Sequence, residues 1–157
     1  MEILHLGDCM IGNIFIAFVI PWIFILILYF KNRRVLLTVG PFQSSIAYTI
    51  NSIGFYIGFW DVYPFGHKDI THVPFDIGIY PMLSAWMIHF IMQKKFNPFI
   101  IILFFSLLTT GIEGMGVLLG RIIYGRGWNI GWTFLSYLVP YLLNYRYYLC
   151  LKNSREF

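Results

Sequence analysis

The residue best placed to do chemistry in this chain is a glutamate inside a long apolar run. Glu113 sits between Thr109-Thr110-Gly111 and a stretch holding Gly114, Gly116 and Gly120. A carboxylate at bilayer depth costs about 2.5–3.5 kcal/mol on insertion scales, so it must face a polar interior or carry a proton. So housed, it can act as a general acid, hold a ligand, or hydrogen-bond a neighbouring helix as a structural group. Gly116 and Gly120 follow it at i+3 and i+7 on one helical face, with the GxxxG spacing that admits a second helix. Glu113 is therefore expected to point into a packed bundle.

Two aspartates join it. Asp61 follows Trp60 at the end of one apolar segment, and Asp76 opens the next in Pro74-Phe75-Asp76. Counted from Pro98 at about 1.5 Å per residue, Glu113 lies roughly 22 Å along its helix, near the leaflet that both aspartates border. Asp76 also suits a helix N-terminus, as a cap or macrodipole partner, and Asp61 suits an ordinary interfacial charge. Arg121 and Arg126 lie just beyond Glu113, within reach of the acids. Polar residues recur at helical spacing elsewhere: Ser44, Tyr48 and Asn51; Asp76, Tyr80 and Ser84; Asn129, Thr133, Ser136, Tyr137 and Asn144. Such side chains are first of all interhelical glue, worth about 0.6 kcal/mol each. Converging on Glu113, they outline one polar pocket. Its candidate acids are Glu113, Asp76 and Asp61, and its candidate ligand contacts are Asn51, Tyr80, Arg121, Tyr124, Arg126, Trp128 and Asn129.

Other chemistries find no support. His67 and His72 bring nitrogen near the acids but match no zinc spacing such as HExxH, so neither a metal nor a cofactor is expected. Cys9 and Cys150 are expected at opposite membrane faces, too far for a bridge that needs Cα atoms about 4.4–6.8 Å apart. No Walker loop, GxGxxG, GxSxG elbow or paired-acid motif is present, which argues against ATP-driven transport and soluble-type hydrolysis.

The elements that must position these residues are membrane spans. Of 157 residues, 59% are hydrophobic and 11% charged, and the mean hydropathy is +0.71. A soluble domain carries about 25% charged residues, so too few remain here to wet a surface. The net charge of +4 comes from basic residues scattered between apolar runs, which does not suit nucleic acid. The pattern predicts an all-α polytopic bundle in a single domain over 1–157, with about five spans at 10–30, 35–59, 74–92, 98–119 and 129–151. Residues 1–9 carry Glu2 and Asp8 without a basic residue, so the first run reads as a retained span and not a signal peptide. One set of loops and ends holds Lys31, Arg33, Arg34, Lys94, Lys95, Arg146, Lys152 and Arg155; the other holds Lys68, Arg121 and Arg126. The positive-inside rule then predicts a plasma-membrane protein with its N-terminus outside and its C-terminus cytoplasmic.

The run Gly58-Phe59-Trp60-Asp61-Val62-Tyr63-Pro64, then Pro74-Phe75-Asp76-Ile77-Gly78-Ile79-Tyr80-Pro81, then Glu113, Tyr124 and Trp128 resembles a pattern of small multi-pass proteins from Bacillus- and Clostridium-type bacteria. The likeness covers about residues 31–152 and implies architecture and a bacterial origin, without an established activity. The loop with His67 and His72 departs from it. A looser architectural likeness links the chain to membrane-embedded terpene and carotenoid cyclases, small aromatic-rich bundles that protonate isoprenoids.

Three functions follow. The first is a binding or accessory protein whose outer pocket holds a lipid headgroup, a small ligand or a partner helix. The second is an enzyme on a lipid or isoprenoid, with Glu113 as a neutral general acid and aromatic faces stabilising carbocations. The third is proton- or cation-coupled transport, for which about five spans are few unless the chain oligomerises. The expected partners are the lipid bilayer, a lipid or isoprenoid, and a second copy or a membrane partner.

Overall fold

The computed structural model describes residues 10–67 and 70–154. It is built almost wholly of helix, as the apolar periodicity predicts. The first unit, α1 (Met10–Ile57), includes a π-helical turn at Phe15–Val19 and breaks at Asn32, whose backbone leaves the helical region at φ −158° and ψ 73°. The Asn32 side chain accepts from the Val35 N–H at 3.3 Å, so the residue that interrupts one limb caps the next. A straight helix would hold Ala17 and Asn51 about 51 Å apart. Both instead meet the segment 76–78: Asn51 hydrogen-bonds Asp76, and the Ala17 carbonyl presses on Gly78. The chain thus folds back at Asn32 into a hairpin with limbs 10–31 and 33–57.

The segment expected as one helix over 74–92 is two, α2 (Val73–Ile77) and α3 (Ile79–Met92). Gly78 separates them because the first limb of α1 passes so close that a Cβ there would lie 1.9 Å from the Ala17 carbonyl oxygen. α4 (Pro98–Leu118) starts on Pro98 after Asn97, whose side chain accepts from the Phe99 N–H at 2.9 Å. α5 (Ile130–Asn153) starts in the same way from Asn129. The two connectors preceding α2 and α5, expected as loops, also hold a pair of strands. β1 (Trp60–Val62) pairs antiparallel with β2 (Ile122–Tyr124), matching Trp60 to Tyr124 and Val62 to Ile122. This short ribbon covers one end of the bundle.

The expected GxxxG contact is different in kind. A Cβ on Gly116 would lie 2.8 Å from Ile122, so the gap admits β2 and not a second helix. Gly54 makes room for the Trp60 ring, 2.1 Å from its absent Cβ, while Gly58 and Gly120 take the positive φ of turns, 85° and 66°.

Three helical stretches are long and apolar enough to cross a membrane: Met10–Ile57, Val73–Met92 and Pro98–Leu118. α5 is not among them, and its faces explain why. It buries Thr133, Tyr141, Asn144 and Tyr148 and exposes Trp132, Leu135, Val139 and Leu143. That is a helix with its polar stripe inward and its apolar stripe outward, the reverse of the arrangement in a water-soluble protein. α3 lies between the limbs of α1, and the core there, Leu28, Val35, Val39, Met87, Ile88 and Ile102, is fully enclosed.

Candidate functional site

Glu113 stands on the last turns of α4, half-buried, where α5 and β2 bring hydroxyl groups to it. The Tyr124 hydroxyl donates to Oε1 at 2.8 Å and Thr133 Oγ1 lies 3.2 Å from the same oxygen; the Tyr137 hydroxyl donates to Oε2. Thr133 Oγ1 accepts from the Trp128 indole N–H at 2.9 Å, which leaves its own proton for Tyr124 or Glu113. Burial, reinforced by the Glu113 carboxyl beside it, raises the Tyr124 phenol above its ordinary value and keeps that group a donor. Every contact made by Glu113 is thus of the kind a carboxylate accepts.

Asp76 is enclosed, 1% exposed, and sits a short way across the bundle. Asn51 Nδ2 donates to its Oδ1 at 2.6 Å, and His72 Nδ1 lies 2.5 Å from its Oδ2. The His72 ring is itself buried and stacked on Phe55, with centroids 5.0 Å apart. Of the two readings of Asp76, the side-chain cap is corrected: α2 has none, and the carboxyl, although in the first turn of α2, bonds Asn51 and His72.

Tyr80 joins the two acids. Its hydroxyl lies 3.1 Å from that of Tyr137, beside the Asn51 amide, and within the electrostatic reach of both Glu113 and Asp76. One polar chain therefore runs His72–Asp76–Asn51–Tyr80–Tyr137–Glu113. Two cavities of about 20 Å³ each adjoin along it, sharing Asn51, Trp60, Tyr80 and Glu113 as walls. Each has space for about one water-sized group. Trp60 and Trp128, with ring centroids 4.7 Å apart, roof the first cavity, and Gln43 and Ala47 line it deeper in the bundle. Below it the Asn144 amide donates to Gln43 Oε1 at 2.9 Å and to Ser84 Oγ, and the enclosed apolar layer of Val35, Val39, Met87 and Ile102 lies beyond.

Comparison with family models, with curated proteins and with solved structures gives no match. The geometry carries the reading.

Of the residues expected here, Glu113, Asp76, Asn51, Tyr80, Tyr124 and Trp128 come together. Asp61 does not: its carboxyl accepts from the Val62 and Gly66 N–H groups at 2.9 and 3.2 Å and fixes the turn after β1. Arg121 stacks on the Tyr63 ring at 4.8 Å, and Arg126 lies against Gly58; neither forms an ion pair with an acid among the described residues. Asn129 caps α5 and takes no part in the site. Among the described residues, His72–Asp76 is the sole ion-pair contact, and no third His, Cys, Asp or Glu joins it to make a metal site. Cys150 is free and exposed, while Cys9 lies outside the described residues.

The residues missed as site members were Tyr137, Thr133, His72, Trp60 and Gln43. Tyr137 and Thr133 were on a recognised stripe, and His72 was weighed only as a metal ligand. Gln43 carried a signal of its own, one of two amides, with Asn51, in the charge-free run 35–60.

Proposed function

We propose that this chain is an integral membrane protein crossing the bilayer five times and binding a small cationic group in the Glu113–Asp76 site. The reading of five crossings is supported by the hairpin at Asn32, whose limbs measure about 33 and 37 Å. It is also supported by α5, about 36 Å long, whose apolar face turns outward. Lys31, Arg33, Arg34, Lys94, Lys95, Arg146 and Lys152 gather at one end, which favours that end as cytoplasmic and the tryptophan-roofed end as outer. The sequence resemblance favours a bacterial plasma membrane as the setting.

The single observation that carries the ligand reading is the lack of a counter-charge at Glu113. Glu113 lines both water-sized cavities, has no Lys, Arg or His partner among the described residues, and is surrounded by donors suited to an anion, whereas Asp76 lies behind Asn51 and His72. An unpaired carboxylate in a low-dielectric interior is costly, and a bound cation offsets that cost. The Trp60, Trp128 and Tyr80 rings around the cavity add faces that attract cations. Volume speaks against an isoprenoid in the same place, since pockets for such ligands run to about 300–1,000 Å³. The enclosed apolar layer beyond Asn144 speaks against a continuous path to the other end.

The test is thermal unfolding of detergent-purified protein titrated with sodium, potassium, ammonium and methylammonium chlorides, beside Glu113→Gln. A binding cation raises the midpoint of the unmodified protein above the choline chloride control. Glu113→Gln should fold and lose that rise. If no cation moves the unmodified protein, or if the variant responds equally, the reading is wrong.

A further inference from the structure

We propose that the opposite end of the bundle holds an acidic phospholipid, its acyl chain in the groove between α3 and α4 and its phosphate at Lys95. The groove measures about 460 Å³ and is lined by Phe90, Phe96, Ile100 and Phe104, with Gln93 and Lys95 among its walls. These apolar side chains are 41–69% exposed. The α4 part of the wall climbs about 9 Å from the helix start at Pro98 to Phe104, the reach of roughly seven methylene groups.

Charge selects the occupant. Lys31, Arg33, Arg34, Lys94, Lys95, Arg146 and Lys152 are all exposed at this end, and none is in an ion pair among the described residues. Every acid among the described residues, Asp61, Asp76 and Glu113, lies at the other end. A ligand seated here therefore meets an apolar trough below and uncompensated positive charge at its rim, which an anionic amphiphile complements. The turn is shaped to suit: Lys94 ends α3 at φ 55°, left-handed for a residue with a side chain, and this bend sets Lys95 and Phe96 at the edge of the groove. Gln93 reaches the same rim from α3, held 3.2 Å from His89 Nε2.

The site is independent of the Glu113 reading and stands if that one fails. The experiment is native mass spectrometry of the full chain released from mixed micelles of phosphatidylglycerol and phosphatidylcholine in equal amounts. One phosphatidylglycerol per chain should be retained in preference to phosphatidylcholine. Lys95→Gln should lower that retention about fivefold, the effect of one cation near an anionic headgroup, and Arg34→Gln, with the same charge change outside the groove, should not. Ile100→Trp fills the trough without altering charge and should also displace the lipid; thermal unfolding of each variant checks that it is folded. Equal losses in Lys95→Gln and Arg34→Gln would mean a diffuse surface field and overturn the proposal. So would equal retention of both lipids, lipid retained undiminished in Ile100→Trp, or a dimer that Ile100→Trp dissociates.

Discussion

The two ends of the bundle treat charge in opposite ways. At the tryptophan-roofed end, Asp76 and Glu113 are drawn into the protein and surrounded by Asn51, His72, Tyr124, Thr133 and Tyr137. At the other end seven cations stay exposed, Lys31 over the Trp86 ring at 5.6 Å and none in an ion pair among the described residues. A charge at the bilayer surface asks little of its neighbours, whereas a carboxyl taken inside must be met donor by donor. The first end is specified by geometry and the second by composition. Substitutions should be felt very differently at the two.

The largest expected effect breaks that comparison directly. Asp76→Ala leaves Asn51 Nδ2 and His72 Nδ1 buried without their acceptor, and should cost about 3–5 kcal/mol of stability. Arg33→Ala, at an exposed site with no partner among the described residues, should change stability by less than about 0.5 kcal/mol. Unfolding of both variants in one detergent gives the comparison. Similar losses would mean that the buried acid is no more demanding than the exposed cation.

The same contrast explains what could be read from sequence. The helices were legible because an apolar run declares itself residue by residue: Pro98 after Asn97 and the polar stripe of α5 marked their elements to within a residue or two. Glu113 was legible because an acid in such a run has few alternatives. Contacts between distant segments were not. Nothing local pairs Trp60 with Tyr124, so the ribbon that carries Tyr124 to Glu113 was read as loop. Asp76 resembled a cap because an aspartate near a helix start usually is one, and only the return of α1 at Asn32 brings Asn51 across to it. The Gly116/Gly120 pair misled for a related reason: the spacing reports a gap, and the fold fills it with Ile122.

A smaller effect sharpens the division within the polar end itself. Tyr137 and Tyr141 are both tyrosines on the inner face of α5, one bonded to Glu113 and Tyr80, the other to Thr109 Oγ1 at 2.7 Å. Each loss of hydroxyl, Tyr137→Phe or Tyr141→Phe, should lower stability by about 0.5–1.5 kcal/mol. Only Tyr137→Phe should also blunt the cation-dependent rise in unfolding temperature, because only that hydroxyl belongs to the chain between the acids. A blunted response in both would make the polar face of α5 one undivided scaffold.

The smallest effect has the opposite sign and is expected at both ends. Lys94 (φ 55°) and Arg126 (φ 49°) each hold a left-handed backbone that glycine adopts more readily. If the backbone alone mattered, Lys94→Gly and Arg126→Gly would each raise stability by up to about 1 kcal/mol. Lys94 is exposed at the free basic end and should show most of that gain. The Arg126 side chain packs over the Gly58 turn, its Nε 3.6 Å from where a Cβ would stand, so its removal forfeits contacts that hold the tryptophan-roofed end together. Its gain should be smaller or reversed. Matched midpoints for the two glycine variants in thermal unfolding would show that the ribbon end is no more tightly specified than the basic end, and the contrast between them would lose its basis.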